Sequence, residues 1–336
     1  MHYKKKVNNL LFLVNKTVIY YIYYTGGVEM SFNLYFAGDC YKEPDEYIMQ
    51  IGGNRLYTQL YERKLGERWM EAIKSGKTDS YLFADSTAYS AWSRGVDVDI
   101  DNYIDYANEN INELHLLTSL DKIPGVKGTP PTVEEYKQAP QKSWENYLYM
   151  RERILDKDKL LPVFHLGEDF KHLHEMLEFT EDGKHIPYIG LGGTVGASMT
   201  VKDNWFSQVF KVIQQSNNPN VHTHAFGLTS FKLLEKYPFF SSDSTSWIMV
   251  GANGNIFTPW GTYAITEHGV HRGSHYNYLS KQQQDDIRAW VTGLGFDLDK
   301  AMERPEERAM INITFLKSCA DNYVYRGTNK FQKRLF

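Results

Sequence analysis

The sequence predicts an α/β fold, and within that class a TIM-type (β/α)8 barrel. Short apolar runs that end in polar or glycine residues alternate with amphipathic stretches from about residue 31 to residue 244. Such alternation with seven or eight strands favours a parallel barrel over an open sheet. The chain has 336 residues, of which 42% are hydrophobic, and a barrel typically needs about 250 residues. We therefore expect one domain with a single large core.

Seven apolar runs are predicted to be the buried strands of this barrel. They span residues 31–39, 80–86, 114–121, 160–168, 186–193, 221–228 and 238–244. Amphipathic patterns predict helices over residues 55–76, 143–159, 169–183 and 204–216. The barrel domain is predicted to run from residue 30 to residue 336 with insertions, and residues 281–336 are predicted to form a helical C-terminal segment.

The first 29 residues differ in composition from the rest of the chain. They combine three lysines with an apolar run that Asn15 and Lys16 interrupt, so they imitate a signal peptide or membrane anchor imperfectly. Gly26 and Gly27 stand just before Met30, as a translated ribosome-binding site would. We expect Met30 to be the natural start and residues 1–29 to be a non-native leader or a disordered extension.

Charge and cysteine content exclude several classes of protein. The chain has 37 Lys and Arg against 41 Asp and Glu, a net charge of −4, whereas a general nucleic-acid coat protein would be basic. Cys40 and Cys319 are the two cysteines of the chain, which excludes a disulfide framework and a Cys-rich zinc site. We expect a cytoplasmic protein with no membrane partner, no metal and no cofactor.

In a parallel barrel, functional side chains gather at the carboxyl ends of the strands. Asp85 and Asp243 each follow an apolar run in an Asp-Ser dipeptide, on strands far apart in sequence. Paired carboxylates are what the chemistry of a glycosidic bond requires. Each Asp could instead cap the helix that follows it, and the Ser-rich stretch around Asp243 could be a turn. The same predicted edge contains Ser86, Asp121, His165, Glu168, Gly192, Gly193 and His224.

Six segments in chain order carry a resemblance to a known family. They are ADSTAY (84–89), TSLDKIP (118–124), PVFHLGED (162–169), IGLGGTVG (189–196), AFGLTSFKLLEKYPFFSSDS (225–244) and GANGNIFT (251–258). The first resembles Asp-Ser-Gly-Gly-(Phe/Tyr), and the fifth resembles Leu-Met-Gly-Val-Gly followed by a strand with a nucleophilic Asp. These motifs belong to the tRNA-guanine transglycosylases. The chain is most similar to their phage and bacterial DNA-modifying relatives, which insert 7-deazaguanine bases.

The resemblance implies a base exchange that proceeds through two carboxylates. Asp243 would attack C1′ of the target nucleotide and form a covalent sugar ester. Asp85 would protonate the leaving guanine and later accept a proton from the incoming 7-deazaguanine. An ordinary Asp has a pKa of about 3.9, so burial or a neighbouring carboxylate must raise the pKa of Asp85.

The resemblance also implies a set of base-binding residues. Tyr89 and Phe226 match the residues that sandwich the purine, and each could equally be a core aromatic. Asp121 would accept hydrogen bonds from N1 and the amino group of guanine. His165, which replaces the usual Gln, and the backbone of the glycine pair would reach O6; His165 could equally be a structural histidine whose hydrogen bonds the protein satisfies. The remaining matched base-binding positions are Ser86, Gly192, Gly193 and Gly227.

Departures from the family pattern bear on the substrate. A Cys-x-Cys-x-x-Cys…His zinc subdomain, which the tRNA enzymes carry, cannot be built from two cysteines. Their Pro-Thr-Arg-x-x-Arg loop is replaced by STSWIMVGANG (244–254), which contains no arginine, and arginines in such a loop would hold phosphates. DNA, with its guanine flipped out or single-stranded, is therefore the expected substrate.

Three other functions stay open at this point. The same exchange on tRNA differs in nucleic acid, and the missing zinc ligands favour DNA. A non-catalytic partner subunit is disfavoured because both Asp85 and Asp243 are present. An unrelated sugar hydrolase would cleave a glycoside without exchanging guanine. The identity of the 7-deazaguanine derivative, the DNA sequence context and the oligomeric state do not follow from the sequence.

Overall fold

The computed structural model of the chain describes residues 32–39, 41–269 and 274–323. The predicted leader at residues 1–29 and its proposed start at Met30 lie outside the described residues. So do the last residues of the predicted C-terminal helical segment, from 324 to 336.

A single parallel sheet of nine strands forms the centre of the fold. Its strands are β1 (Asn33–Phe36), β2 (Asn54–Thr58), β3 (Leu82–Asp85), β4 (Leu116–Thr118), β5 (Leu160–Leu161), β6 (Val163–His165), β9 (Tyr188–Gly192), β10 (His222–Ala225) and β11 (Ser241–Ser244). Their spatial order is β5-β4-β3-β2-β1-β11-β10-β9-β6. Two antiparallel hairpins complete the strands, β7 (Thr180–Glu181) with β8 (Lys184–His185), and β12 (Asn255–Thr258) with β13 (Gly261–Ala264).

The two ends of this sheet meet in one short stretch of chain. Only Pro162 separates β5 from β6, yet β5 pairs with β4 whereas β6 pairs with β9. The carbonyl of Pro162 accepts a hydrogen bond from the N–H of Gly190 at 2.8 Å, and proline itself has no N–H to leave unpaired. The sheet is therefore nearly closed and barrel-like. The prediction of a parallel α/β fold is confirmed, in a form compatible with a TIM barrel.

Helices surround the sheet in the connections between strands. They are α1 (Lys42–Gln50), α2 (Arg63–Lys74), α3 (Ala88–Arg94), α4 (Ile100–Glu109), α5 (Val133–Arg151), α6 (Phe170–Glu178), α7 (Met199–Gln215), α8 (Phe231–Lys236), α9 (Ser246–Ala252), α10 (Lys281–Gly293), α11 (Leu298–Glu303) and α12 (Pro305–Asp321). Local sequence explains several of their starts. Thr132 with Glu135, and Ser280 with Gln283, form reciprocal capping boxes at α5 and α10.

The helix predicted over residues 55–76 is wrong in its first part. Residues 54–58 form strand β2, and the helix begins only at Arg63. The apolar spacing of this stretch fits a helix, and Arg55 stands where a buried strand would normally have an apolar residue. Arg55 is nevertheless fully buried. An ion pair with Asp45 of α1 makes the burial of Arg55 possible. The local pattern of residues 55–76 does not indicate this partner, because Asp45 lies outside that stretch.

Arg55 and Asp45 form a buried ionic centre between the sheet and α1. The Nε of Arg55 donates to Asp45 at 2.9 Å, and Asp45 also accepts from Arg68 and from the indole N–H of Trp69. The remaining N–H groups of Arg55 donate to the carbonyl oxygens of Phe36 and Gly38. These bonds connect the carboxyl end of β1 to β2. The buried guanidinium of Arg55 therefore holds this side of the barrel mouth together.

Two apolar layers lie on the two sides of the sheet. The interior cluster contains aromatic and aliphatic side chains that point into the barrel: Tyr35, Ala37, Leu56, Phe83, Leu116, Leu161, Val163 and Tyr188. A larger cluster fills the space between the outer surface of the strands and the helices. The interior of the barrel is therefore packed with side chains below the site that its strand ends form.

The last three helices pack against the segment that follows β11. Asn312 of α12 is fully buried, and its side chain accepts from the N–H of Phe257 at 2.7 Å and donates to the carbonyl of Trp247 at 3.3 Å. Arg308 donates to the carbonyl of Gly251 at 2.6 Å. These contacts hold α9 and the β12–β13 hairpin. Within the described ranges, no helix combines the length and apolarity that crossing a bilayer requires.

We expect removal of the Asp45 carboxylate to destabilise the fold strongly. Asp45→Ala leaves the fully buried Arg55 without its counter-ion, which typically costs about 3–5 kcal/mol. The free energy of unfolding in urea measures the loss. Arg304→Ala is the control, because its ion pair with Glu43 is half exposed and such pairs contribute at most about 1 kcal/mol. Equal effects of the two substitutions would contradict this account of the Arg55 centre.

Candidate active site

The carboxyl ends of five strands bring acidic and polar groups to one mouth of the barrel. Asp85 ends β3, Asp121 follows β4, His165 ends β6, Gly192 ends β9 and Asp243 lies in β11. The carboxylates are close enough for the charges of Asp121 and Asp243 to act on Asp85. The edge predicted from the strand ends therefore exists. Among the described residues, no group of His, Cys, Asp or Glu side chains could hold a metal ion.

Asp85 is set up to hold a proton near neutral pH. Burial raises the pKa of its carboxyl to about 7, the charges of Asp121 and Asp243 add to this effect, and the hydrogen bond from the N–H of Thr87 opposes it. That N–H donates to Oδ2 at 3.1 Å, and the Thr118 hydroxyl lies 3.4 Å from Oδ1. Asp85 keeps part of its surface exposed, so its proton can reach a ligand in the mouth.

The turn that follows Asp85 has an unusual backbone. Thr87 has a φ of 70°, a left-handed conformation that favours glycine. In this turn the N–H of Thr87 donates to the Asp85 carboxylate, and the Thr87 hydroxyl accepts from the N–H of Leu60 at 3.1 Å. Ser86 is buried, and its N–H donates to Thr118 at 2.7 Å. The turn is thus shaped around the carboxylate.

Asp243 is held by one of its two carboxylate oxygens. Oδ1 accepts from the N–H of Gly227 at 2.8 Å and lies 3.2 Å from Nε2 of His224. Gly227 has a φ of 64°, and a Cβ atom there would lie 3.0 Å from Val195. Oδ2 has no hydrogen-bond partner in the part of the chain that the structure describes. Asp243 therefore has one anchored oxygen, Oδ1, which is hydrogen-bonded, and one open oxygen, Oδ2, which has no partner among the described residues. Its side chain is 11% exposed.

His224 is the contact that sequence reasoning missed. The sequence predicts His224 at a strand end and assigns it no role. The structure places it fully buried between Asp243 and Ser241, with Nδ1 2.7 Å from the Ser241 hydroxyl. The alternation in VHTHAF, which directs residue 224 to the same side as residue 226, was the available signal.

His165 lies between two acids instead of facing the mouth as a free donor. Its Nε2 is 3.4 Å from Asp121 and its Nδ1 is 3.0 Å from Glu168. Burial lowers the pKa of the imidazole, but the two carboxylates outweigh burial and raise it to about 10. Both ring nitrogens are thus engaged within the protein. Glu168, which the sequence placed at the strand end without a role, fixes the ring.

Asp121 retains one oxygen for a ligand. Burial raises the pKa of its carboxyl, and the charge of His165 opposes this rise. Oδ2 faces His165, whereas the buried Oδ1 has no hydrogen-bond partner among the described residues. The hydroxyl of Thr194, in the loop after β9, is buried without a described partner as well. Buried polar atoms are normally paired, so such atoms at this mouth are available to bind a donor or acceptor.

The glycine pair after β9 provides space rather than side chains. A Cβ on Gly192 would lie 2.8 Å from Cδ2 of His165, so a larger residue would displace that ring. Gly193 has a φ of 72°, which lets the chain turn away immediately. The backbone therefore passes directly over the imidazole that Asp121 and Glu168 hold.

The two predicted stacking residues lie in different surroundings. Tyr89 is 69% exposed at the start of α3, with its ring 5.8 Å from that of Trp92. Phe226 is half-buried at the top of the interior cluster, with its ring 4.4 Å from His224 and 6.0 Å from Phe83. Phe226 therefore forms part of the floor of the site, and Tyr89 stands free on the rim.

No protein-family model matches the sequence, and no curated protein matches it either.

We expect replacement of His165 to change how stability depends on pH. The folded pKa of His165 is raised to about 10, above the ordinary value of about 6.5. Its stabilising contribution is therefore complete below pH 6.5 and disappears as pH rises toward 10. The advantage of the wild-type protein over His165→Gln in the free energy of unfolding should shrink across this window, by about 1.4 kcal/mol for each pH unit. Urea titrations at several pH values measure it, and parallel curves would contradict the charge of His165.

Proposed function

We propose that this protein is a guanine transglycosylase that exchanges guanine in DNA for a 7-deazaguanine base. It would be a (β/α)8-barrel member of the tRNA-guanine transglycosylase superfamily, most similar to the DNA-modifying members. One observation carries the proposal. Asp85, with a pKa of about 7, and Asp243, with one anchored and one open oxygen, meet at the carboxyl ends of one parallel barrel-like sheet.

The two carboxylates suit the two halves of a base exchange. The open Oδ2 of Asp243 attacks C1′, the bond from C1′ to N9 of guanine breaks, and the Asp85 proton passes to the leaving base. Asp85, now ionised, accepts the N9 proton of the incoming 7-deazaguanine. N9 then attacks C1′ and the ester to Asp243 breaks. Two carboxyl groups with different environments are what such a sequence needs.

The turn at Thr87 supports membership of the superfamily. In the motif Asp-Ser-Gly-Gly-(Phe/Tyr), the third position is glycine, and Thr87 stands at that position in ADSTAY. Thr87 adopts the left-handed conformation that favours glycine. A glycine would adopt this backbone without strain, and this agreement supports the proposed match of ADSTAY to the motif.

The surroundings of Asp121 fit recognition of a guanine edge. Its unpartnered Oδ1 can accept from N1–H or the amino group of guanine, which adenine would not satisfy in the same way. The His165 ring nitrogens are already engaged, so His165 would orient Asp121, and O6 would be left to the backbone of the Gly192–Gly193 turn. Phe226 and Tyr89 would supply apolar faces for the base.

DNA is proposed over tRNA because of what the sequence lacks. Two cysteines cannot form the zinc subdomain of the tRNA enzymes, and the loop after Asp243 contains no arginine. In this chain α10 to α12 follow the hairpin instead, and Asn312 and Arg308 attach them to α9.

Base exchange is the experiment that tests the proposal. The protein is incubated with a labelled 7-deazaguanine and with DNA or tRNA, and the digested nucleosides are identified by mass spectrometry. We expect label in a deoxynucleoside, and Asp243→Asn should lower the rate by about a thousandfold or more, because the amide is no nucleophile. Asp299→Asn, an exposed carboxylate in the C-terminal helices, is the control. Label confined to ribonucleosides would transfer the proposal to tRNA, and no label in either would refute it.

The pH dependence of guanine release should report the Asp85 carboxyl. Because its pKa is raised to about 7, the protonated acid is the main form below pH 7 and declines above it. The single-turnover rate of guanine release should therefore fall about tenfold for each pH unit well above pH 7. Asp85→Asn should be slower by about 100-fold or more and should lose this decline. A decline that persists in Asp85→Asn would assign it to another group.

A further inference from the structure

A column of hydrogen-bonded side chains runs from the interior of the barrel up to Asp243. It consists of Tyr188, Ser241, His224 and Asp243, from three neighbouring strands, β9, β10 and β11. The Tyr188 hydroxyl is 2.5 Å from the Ser241 hydroxyl, which is 2.7 Å from Nδ1 of His224. Nε2 of His224 is 3.2 Å from Oδ1 of Asp243. All four residues are buried, and His224 and Ser241 have no exposed surface.

One placement of the protons satisfies every hydrogen bond of the column when Asp243 is ionised. An ionised carboxylate only accepts hydrogen bonds, so Nε2 of His224 must carry a proton. Nδ1 of a neutral imidazole then accepts from the Ser241 hydroxyl, whose oxygen in turn accepts from Tyr188. Each hydroxyl donates once toward Asp243. The column is satisfied without a charge on His224, whose ring is enclosed by the rings of Tyr35, Phe83 and Phe226.

We propose that His224 is a positioning residue for Asp243, and that Ser241 and Tyr188 hold its ring in place through Nδ1. This inference rests on the proposed function, in which Asp243 is the nucleophile. Together with the N–H of Gly227, His224 places two donors on Oδ1. Two donors on one oxygen restrict rotation of the carboxylate and leave Oδ2 without a partner among the described residues. Orientation of this kind matters because misplacement of a reacting group by about 1 Å can cost about 100-fold in rate.

Packing alone does not account for these residues. Aromatic rings enclose His224 on several sides, so a phenylalanine would suit the cavity without needing partners. A buried imidazole instead requires a partner at each nitrogen, and the chain supplies Ser241 on one side and Asp243 on the other. A polar column that ends on the open carboxylate is expected if the column orients that carboxylate.

Three variants separate a positioning role from a structural one. His224→Phe fills the ring cavity without a donor, His224→Gln keeps a donor near the place of Nε2, and Ser241→Ala removes the hydroxyl that holds Nδ1. We expect His224→Phe to lower the single-turnover rate about 100-fold, with the KM for the incoming base nearly unchanged. The single-turnover rate of His224→Gln should be close to that of the wild-type protein. The rate of Ser241→Ala should lie between the rates of His224→Phe and His224→Gln. Thermal unfolding of each variant verifies that the fold is intact.

Nitrogen NMR of the imidazole provides a readout that does not depend on activity. In the wild-type protein, the His224 ring, assigned by its absence in His224→Gln, should show the neutral Nε2–H tautomer. Ser241→Ala should keep this tautomer, because the Asp243 carboxylate still requires a donor at Nε2. Equal losses of rate in His224→Phe and His224→Gln, or a wild-type ring with its proton on Nδ1 alone, would overturn the proposal. A wild-type protein that exchanges no base would refute the proposed function, while the NMR result would still decide whether His224 orients Asp243.

Discussion

Closure of the parallel sheet through residues 160–165 is the constraint on which the rest of the structure depends. Because β5 pairs with β4 and β6 pairs with β9, one short segment on both sides of Pro162 joins the two ends of the sheet. Parallel strands direct all their carboxyl ends to the same side. Closure then arranges those ends in a ring, so Asp85 and Asp243, which are far apart in sequence, act on one another electrostatically.

The mouth that results gives the same kind of side chain three different environments. Asp85 is buried near two other acids and tends to keep its proton, with a pKa of about 7. Asp121 faces the imidazolium of His165, whose charge depends on Asp121 and Glu168 together. Asp243 is anchored by the Gly227 N–H and His224. The three carboxyl groups thus differ in their neighbours and hydrogen-bond partners, and this difference makes a division of chemical roles possible.

Buried polar groups also connect the mouth to the rest of the fold. Arg55 attaches the end of β1 to β2 and α1, and Asn312 attaches the C-terminal helices to the segment after Asp243. Each of these groups has its hydrogen-bonding capacity used by the protein, as burial demands. Oδ1 of Asp121, at the mouth, has no such partner among the described residues, so it can accept a hydrogen bond from a ligand.

The sequence by itself determined the parallel α/β class, most of the strands and the positions of Asp85, Asp121, His165 and Asp243 at strand ends, because hydrophobic periodicity and strand termination are local properties. It misread residues 54–58, since the partner that allows Arg55 to be buried belongs to another element. Only the tertiary structure decided the charge of His165, the proton on Asp85 and the contact between His224 and Asp243. Those properties depend on distances between groups from different strands and on burial, and closure of the sheet determines both.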